Sequence, residues 1–308
     1  AGVPASRCSL VQVMVNGENL GIYSHVESIK KPMMKREFGD DSGVLYEGTI
    51  VDFHIGWEQA FERKFGKDKK GRKKIAELIR LVNLKEGEES DDGVDEIGKL
   101  VDLPSFYTFW AMETLLGHWD GYAGNSNNYF FYLNPRTDRF HLVPWGADAL
   151  FVEKGKLDKD ADAPISVRTI GLLANRLYES SSCRVQYEHE LRRLLAEVWD
   201  EDKLIAELKR ASELITPFVN EEQIHFADRG KRIQRFVETR RERLLSEIAD
   251  GMPDWNQQPR EPIIVDGTQF GGKNKWSKGG EAILDAARSG KVEEIEKWVA
   301  KGVSVNEK

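Results

Sequence analysis

Two parts of the chain carry the alternating or aromatic-rich hydrophobic pattern of β-strands. In residues 8–27 the pattern predicts a β-hairpin that turns at Asn16 and Gly17. A second hairpin is predicted from residues 129–133 and 140–143, two aromatic and β-branched runs on either side of the turn-rich residues 134–138. Because a hairpin brings its two ends together, the residues just before 129 and just after 143 should be neighbours in the folded chain.

Most of the remaining chain repeats apolar residues at three- and four-residue spacing, which predicts amphipathic helices. The predicted helices span residues 30–38, 57–65, 73–83, 94–101, 169–178, 184–199, 201–216 and 230–249. A further helix, at residues 104–117, is apolar on two faces, so we expect it to be buried and to end at Gly117. The pattern as a whole indicates an α+β fold.

Composition sets limits on the class of protein. The 308 residues are 40% hydrophobic and 31% charged, enough for one large domain and a smaller unit. The net charge of −7 argues against a general nucleic-acid binder, and no apolar run approaches the roughly 20 residues of a membrane span. The chain begins without Met and without a signal-peptide pattern, so we expect it to start inside a longer protein.

Two local features leave alternatives open. A basic block at residues 63–74 is followed by an acidic block at residues 86–96, which is typical of a solvated surface insertion; a docking patch for an anionic substrate is the alternative. The cysteines, Cys8 and Cys183, build neither a disulfide framework nor a zinc site, and a single disulfide between them stays open.

The sequence changes character after residue 250. Residues 251–279 contain three prolines among Gly, Asn, Gln and Lys, which is typical of a linker. Residues 281–306 resemble the opening of an ankyrin array; a lone docking helical hairpin is the alternative. Since about three ankyrin repeats are needed for a stable core, the resemblance implies further repeats that bind protein partners. The predicted organisation is a domain at 1–250, a linker at 251–279 and a partial repeat at 280–308.

Polar residues at the two ends of the second hairpin carry the candidate chemistry. Asp120 follows the buried helix, Asn128 directly precedes the first strand, and Asp148 follows the second strand. A kinase uses, in this order, an Asp that orients the attacking hydroxyl and an Asn and an Asp that hold Mg²⁺ against the nucleotide phosphates. The order predicts these roles here. In the alternative without function, Asp120 caps a loop, Asn128 begins a strand and Asp148 is a solvated turn residue.

At these residues the chain resembles the CotH kinase family, an atypical kinase-like group named after a bacterial spore-coat protein. The resemblance covers about residues 1–250. It rests on the hairpin around Asn16-Gly17, Glu27, Gly43-Val44-Leu45-Tyr46, Trp119-Asp120, Asn128-Tyr129 and Pro144-Trp145-x-x-Asp148. It implies a two-lobed, kinase-like fold with a small β-rich lobe, a larger helical lobe and a cleft between them.

The resemblance also implies an activity. ATP would bind with Mg²⁺ or Mn²⁺, and its γ-phosphoryl group would pass to a hydroxyl of a protein substrate. Asp120 would be the base, while Asn128 and Asp148 would hold the metal. Asn125 is the rival of Asn128, because it follows Asp120 by the five residues found in conventional kinases.

On the nucleotide side, the resemblance implies roles for Glu27, Lys30 and Trp145, although Glu27 is equally suited to pair with a nearby lysine. Many family members have an Asp where Gly146 stands and a Lys where Glu47 stands, so Lys30 is a substitute phosphate-facing cation. These two departures favour a second hypothesis, a catalytically silent binding platform with an ankyrin arm. Family membership implies a bacterial secreted, spore or cell-envelope setting.

Overall fold

The computed structural model describes residues 1–84, 92–153, 163–220, 223, 226–255, 258–261, 264–265 and 268–269. It is a mixed α and β structure, as the pattern predicts. The strands are β1 (Cys8–Val15), β2 (Glu18–Val26), β3 (Val44–Gly48), β4 (Glu62–Phe65), β5 (Tyr129–Asn134), β6 (Arg139–Pro144), β7 (Ile264–Val265) and β8 (Thr268–Gln269). The α-helices are α1 (Lys31–Phe38), α2 (Asp68–Val82), α3 (Asp92–Leu100), α4 (Leu103–Leu116), α5 (Tyr122–Asn125), α6 (Leu172–Glu179), α7 (Ser181–Glu197), α8 (Glu201–Ile215) and α9 (Phe226–Glu247). The predicted ankyrin-like segment lies outside the described residues.

The central sheet has four antiparallel strands in the order β4-β3-β5-β6. On one face Tyr129 and Phe131 belong to the main core with the helices, and on the other face Phe130 and Tyr132 pack against α1 in a second core. Every residue of β5 is therefore buried. Burial of both faces explains why this strand is an unbroken aromatic run without polar alternation.

Helix α4 is the buried central helix that its two apolar faces predict. The Asp102 side chain caps its start by accepting a hydrogen bond from the Ser105 N–H at 3.1 Å. Trp110 in its middle is fully buried, and its ring centroid lies 4.1 Å from that of Tyr187 in α7. The helix ends at Gly117, as predicted, because this residue takes the left-handed conformation with φ of 61°.

The helix predicted at residues 57–65 is wrong. Residues 57–61 form turns, and residues 62–65 form the edge strand β4. Trp57 and Phe61 are buried in the main core, but Phe65 packs against the second core on the other side of the sheet. Charged residues such as Glu62 and Lys64 are common on edge strands, since they discourage pairing with other chains. The other predicted helices are confirmed, with ends that differ by a few residues.

The predicted hairpin at residues 8–27 is confirmed as the separate two-stranded sheet of β1 and β2. Gln223 attaches it to the helical part, because its side chain exchanges two hydrogen bonds with the Ile22 backbone, at 2.9 and 2.8 Å. Cys8 is exposed on β1, whereas Cys183 is buried in α7, and both are free thiols. The disulfide that the sequence left open is therefore not formed.

Part of the predicted linker contacts the domain. The Tyr178 hydroxyl donates to the Pro253 carbonyl at 2.7 Å, and Arg184 pairs with Asp254 at 3.4 Å. Trp255 packs against the main core, and the Arg260 N–H donates to the Ile170 carbonyl at 3.1 Å. In the described part of the chain, no helix has the length and apolar character needed to cross a membrane.

Candidate functional site

The loop after α4 presents Asp120 from a rigid base. A Cβ atom at Gly117 would lie 2.5 Å from the Val152 carbonyl, and the backbone there is left-handed, so the turn requires glycine. Asp120 follows three residues later and is half-buried. Its position is thus tied to the end of a helix that is packed in the core.

Buried Glu113 of α4 fixes the start of the short helix α5, just after Asp120. Its two carboxylate oxygens accept hydrogen bonds from the N–H groups of Tyr122 and Ala123, each at 2.8 Å. Burial raises the pKa of Glu113 to about 8, although these two donors act in the opposite direction. Glu113 therefore joins the two helices that flank Asp120.

Three asparagine side chains converge on Asp120. The Nδ2 atoms of Asn125 and Asn127 donate to its Oδ1, at 2.6 and 3.2 Å. Asn128 Nδ2 donates both to Oδ2 and to the Asp120 backbone carbonyl, at 2.9 Å each. An ionised carboxylate only accepts hydrogen bonds, so the amide nitrogens must face it. We call these four residues the amide cluster.

The amide oxygens of the cluster point away from Asp120 to different partners. Asn125 Oδ1 and the Asn125 carbonyl both accept from Arg260 Nη1, the carbonyl at 2.9 Å. Asn127 Oδ1 accepts from the Ile50 N–H at 3.1 Å. Asn128 Oδ1 accepts no hydrogen bond from any residue that the structure describes. Among the residues that the structure describes, Asn128 is thus the asparagine of the cluster whose side-chain oxygen has no donor.

Asn128 also joins the two ends of the β5–β6 hairpin. Its backbone is left-handed with φ of 50°, a conformation that asparagine tolerates better than most residues. Its carbonyl accepts from the Trp145 N–H at 2.9 Å. Gly146 lies directly against its side chain, because a Cβ at Gly146 would be 2.5 Å from Asn128 Cγ. The predicted approach of the two hairpin ends is therefore realised through these contacts.

Asp148 lies two residues beyond Gly146, on an exposed 3₁₀ turn (Ala147–Ala149). Buried His118 connects it electrostatically to Asp120. Burial lowers the pKa of His118, whereas the negative charges of Asp120 and Asp148 both act to raise it. His118 Nδ1 lies 3.7 Å from Glu113 Oε1. The two candidate carboxylates thus influence one buried imidazole from separate loops.

Asp52 is almost wholly buried and forms hydrogen bonds with residues next to the amide cluster. Its Oδ1 accepts hydrogen bonds from the Phe53 N–H at 2.8 Å and from the Tyr122 hydroxyl at 3.1 Å. Its Oδ2 accepts from Ser126 Oγ at 2.7 Å and from the Leu172 N–H at 2.8 Å. Burial raises the pKa of this carboxyl, while the hydrogen bonds oppose the change. Asp52 therefore contacts residues at both ends of α5, the helix that carries Asn125.

The predicted nucleotide-side residues lie around the second core or near it. Trp145 packs there, with its ring edge-on to Phe130 at 6.1 Å, and Lys30 is exposed just before α1. Glu27 accepts from the Arg7 N–H at 3.0 Å and pairs with Arg36 of α1. The Arg7 N–H, and then Arg36, lower the pKa of Glu27. Arg36 thus pairs with the Glu27 carboxylate, whereas the alternative predicted a lysine as its partner.

Glu47, the expected departure from the family pattern on this strand, lies near the end of β3. Glu47 pairs with Phe130 of β5, and the next residue, Gly48, pairs with Tyr129. Lys64 Nζ of β4 lies 2.6 Å from its carboxylate. A lysine is therefore present beside this position, on the neighbouring strand.

The residues present suit a divalent metal that arrives with a nucleotide. Mg²⁺ and Mn²⁺ prefer oxygen ligands, and Mg²⁺ beside a nucleotide commonly has one or two protein carboxylates, with phosphates and waters as the other ligands. Asn128 Oδ1 and the exposed Asp148 carboxylate are oxygens of this kind. Across the described ranges, no three His, Cys, Asp or Glu side chains are grouped to hold a metal by themselves.

Sequence reasoning missed several residues that build the site. Asn127 lies between two residues that were singled out, and its place in a run of four polar residues was a usable signal. Asp52 and Arg260 are far from Asp120 in the chain, whereas Glu113 lies on the helix just before it. An acid between two apolar residues, as at Val51-Asp52-Phe53, or inside an apolar helix, as at Glu113, is the local signal of a buried structural carboxylate.

The fold and the amide cluster define an α+β protein in which a carboxylate at the end of a buried helix contacts an asparagine at one end of a hairpin, and the other end of that hairpin leads to a second carboxylate on a loop. The family model described as CotH kinase protein matches residues 1–244. The chain belongs to this family, which confirms the resemblance drawn from the motifs.

A curated relative is the Inner spore coat protein H of Bacillus subtilis (strain 168). It is 22% identical over 230 residues, which cover 71% of this chain and 61% of the relative. The chain thus spans about 61% of the length of the curated relative it matches. The family match ends at residue 244, before the segment that carries Arg260.

Proposed function

We propose that this protein transfers the γ-phosphoryl group of ATP to a hydroxyl of a protein substrate, with Mg²⁺ or Mn²⁺. The observation that carries the proposal is the convergence of three asparagine amides on Asp120, at the base of the hairpin whose other end leads to Asp148. Phosphoryl transfer needs little covalent chemistry from the protein, and it depends mainly on positioned groups and charge. A carboxylate held by three amide donors, with the Asn128 side-chain oxygen next to it, suits that need.

In this proposal Asp120 orients the substrate hydroxyl and accepts its proton. Three N–H donors fix the direction of the carboxylate, so that no reorganisation is needed when the hydroxyl arrives. Asn128 and Asp148 would hold the metal, which when bound neutralises negative charge on the phosphates. Asn128 is preferred to Asn125 because Arg260 already occupies the Asn125 oxygen.

The nucleotide would lie towards the second core, where Trp145 offers an aromatic surface. Lys30 remains a candidate for the phosphate-facing cation, and Lys64 is a second one because it already neutralises Glu47 at 2.6 Å. Glu27 stays a candidate on this side, with its charge balanced by Arg36. These roles rest on family membership and, for Trp145, on its packing against the second core.

The direct test incubates the full chain with γ-labelled ATP, Mn²⁺ or Mg²⁺, and a protein acceptor. We expect label on protein in the wild type and its loss in Asp148→Ala. Asp138→Ala is the matched control, because Asp138 lies at the other end of the same hairpin and pairs with Lys70 and Lys74. Equal labelling by the two variants would contradict the metal role of Asp148.

Binding is tested separately from transfer. If the nucleotide binds through a metal, ATP should raise the melting temperature with Mn²⁺ or Mg²⁺ but not with EDTA, since a ligand of the native state stabilises it by RT ln(1 + [L]/Kd). An equal rise in melting temperature with EDTA and with metal would reject the metal-bridged site. Metal-dependent binding without any transfer would instead favour the silent binding platform.

For the setting, we propose the bacterial spore coat, because the relative from Bacillus subtilis is named a spore coat protein. The predicted ankyrin-like segment would then recruit protein partners. Detection of the chain in washed coat fractions of purified spores would support this setting, and its confinement to other fractions would oppose it.

A further inference from the structure

We infer that Arg260, which lies beyond the family match, is a positioning residue of the phosphotransfer site and acts on Asp120 through Asn125. The inference rests on the proposed function for its catalytic meaning. Its structural basis is the chain of contacts from Arg260 to Asn125 and from Asn125 to Asp120.

The backbone around Arg260 is fixed next to α5. The Arg260 N–H donates to the Ile170 carbonyl at 3.1 Å, and the Ile170 N–H donates to the Ala123 carbonyl in α5 at 2.9 Å. Earlier in the same segment, Pro253 and Trp255 contact the helical part. The start of the arginine side chain is therefore held at a defined distance from α5.

The guanidinium group then closes the C-terminal end of α5. Arg260 Nη1 donates to both the carbonyl and the side-chain oxygen of Asn125. An arginine only donates and an ionised Asp120 only accepts, so together they allow one orientation of the Asn125 amide. In that orientation Asn125 Nδ2 lies 2.6 Å from Asp120 Oδ1.

This arrangement explains why a cation is useful here. Arg260 is half-buried, and a hydrogen bond from a charged donor is stronger than one from a neutral donor. Without it, the Asn125 amide keeps its contact with Asp120 but loses the contact that holds its oxygen, and the Asn125 carbonyl loses the same donor. The donor that Asn125 offers to Asp120 would then be held from one side only, so the direction of the carboxylate would be less well fixed.

The kinetic test compares Arg260→Ala with Arg184→Ala in the full chain. Arg184 is the matched control, because it pairs with Asp254 in the same segment but does not contact the amide cluster. We expect Arg260→Ala to lower kcat about ten- to a hundredfold, the scale of a lost charged hydrogen bond, with the KM for ATP nearly unchanged. Arg260→Lys should restore part of the rate, and Arg184→Ala should keep it. Equal losses in Arg260→Ala and Arg184→Ala would mean that Arg260 merely tethers the segment, which would overturn the inference.

A double-mutant cycle tests the route through Asn125. If Arg260 acts through Asn125, the double variant Arg260→Ala/Asn125→Ala should be no slower than Asn125→Ala alone. If the double variant instead loses rate by the product of the two single losses, Arg260 acts independently of Asn125, and the inference is overturned.

Hydrogen exchange separates this inference from the proposed function, because it needs no activity. Arg260→Ala should speed exchange of the backbone amides of residues 125–127 by about tenfold, whereas Arg184→Ala should leave them unchanged. That result would support the positioning contact even if the wild type transferred no phosphate, in which case only the proposed function would fail. Unchanged exchange in Arg260→Ala would overturn the positioning contact.

Discussion

Gly146 offers the sharpest test of the site, because it determines where Asn128 lies. A methyl group added by Gly146→Ala would come within 2.5 Å of Asn128 Cγ and 2.7 Å of its Nδ2. Such contacts are too short for carbon and nitrogen, so one group must move. The backbone of Gly146 is fixed by the start of the 3₁₀ turn, and we therefore expect the Asn128 side chain to leave Asp120.

The expected loss of unfolding free energy in Gly146→Ala has two parts that can be separated. An alanine in the left-handed region, φ of 66° at Gly146, costs about 1–2 kcal/mol. Loss of the Asn128 hydrogen bond to the charged Asp120 adds about 1.5–3 kcal/mol, less whatever water restores at this half-buried position. Gly17→Ala supplies the first part alone, because Gly17 has φ of 83° and nothing within 4 Å of its Cβ position.

The assay is urea unfolding of both variants, together with metal-dependent ATP binding measured by the shift in melting temperature. We expect Gly146→Ala to be less stable than Gly17→Ala by about 1–3 kcal/mol, and we expect only Gly146→Ala to lose ATP–Mn²⁺ binding. Equal stability of the two variants, with binding intact in both, would refute the view that Gly146 sets the position of Asn128.

Three further predictions concern the residues around Asp120. Asp120→Asn should keep ATP binding but slow transfer by about 10²–10⁴, the usual effect of losing a positioned base, as measured with labelled ATP; near-wild-type transfer would reassign its role. Asp52→Asn should lower the free energy of unfolding by about 2–4 kcal/mol in urea titrations, because an amide NH₂ would face donors that now meet a carboxylate; a loss under about 0.5 kcal/mol would contradict this reading. Burial raises the pKa of Glu113 from 4.5 to about 8. Between these two pH values the folded state therefore binds a proton that the unfolded state has released. Unfolding free energy should therefore fall as pH rises from about 4.5 to about 8 in the wild type relative to Glu113→Gln, and parallel pH profiles would contradict it.

The sequence was a good guide where structure depends on neighbours in the chain. The β5–β6 hairpin follows from its aromatic runs and its turn residues, and it predicts that the two hairpin ends approach each other, as Asn128 and Trp145 do. The end of α4 follows from Gly117, since the left-handed turn requires a residue without a side chain. These features are local, so periodicity and turn chemistry suffice to find them.

The sequence was a poor guide where burial arises without regular structure. Trp57 and Phe61 are buried from turns, and helical spacing was mistaken for a helix because periodicity reports burial rather than backbone conformation. Asp52 and Arg260 reach the site across 70 and 135 residues of chain, to Tyr122 and Asn125. No local pattern encodes such contacts, because they depend on how separate segments pack.

The two departures from the family pattern have structural counterparts that bear on whether catalysis survives. Lys64 on β4 lies 2.6 Å from the Glu47 carboxylate, so a positive charge is present beside the position where the resemblance led us to expect a Lys. At Gly146, any side chain would collide with Asn128 in its present place. In this chain the absence of a side chain at Gly146 leaves room for the Asn128 amide that donates to Asp120. Gly146 and the amide cluster thus form one arrangement, in which Asp148 is the remaining acid of the Pro-Trp-x-x-Asp motif.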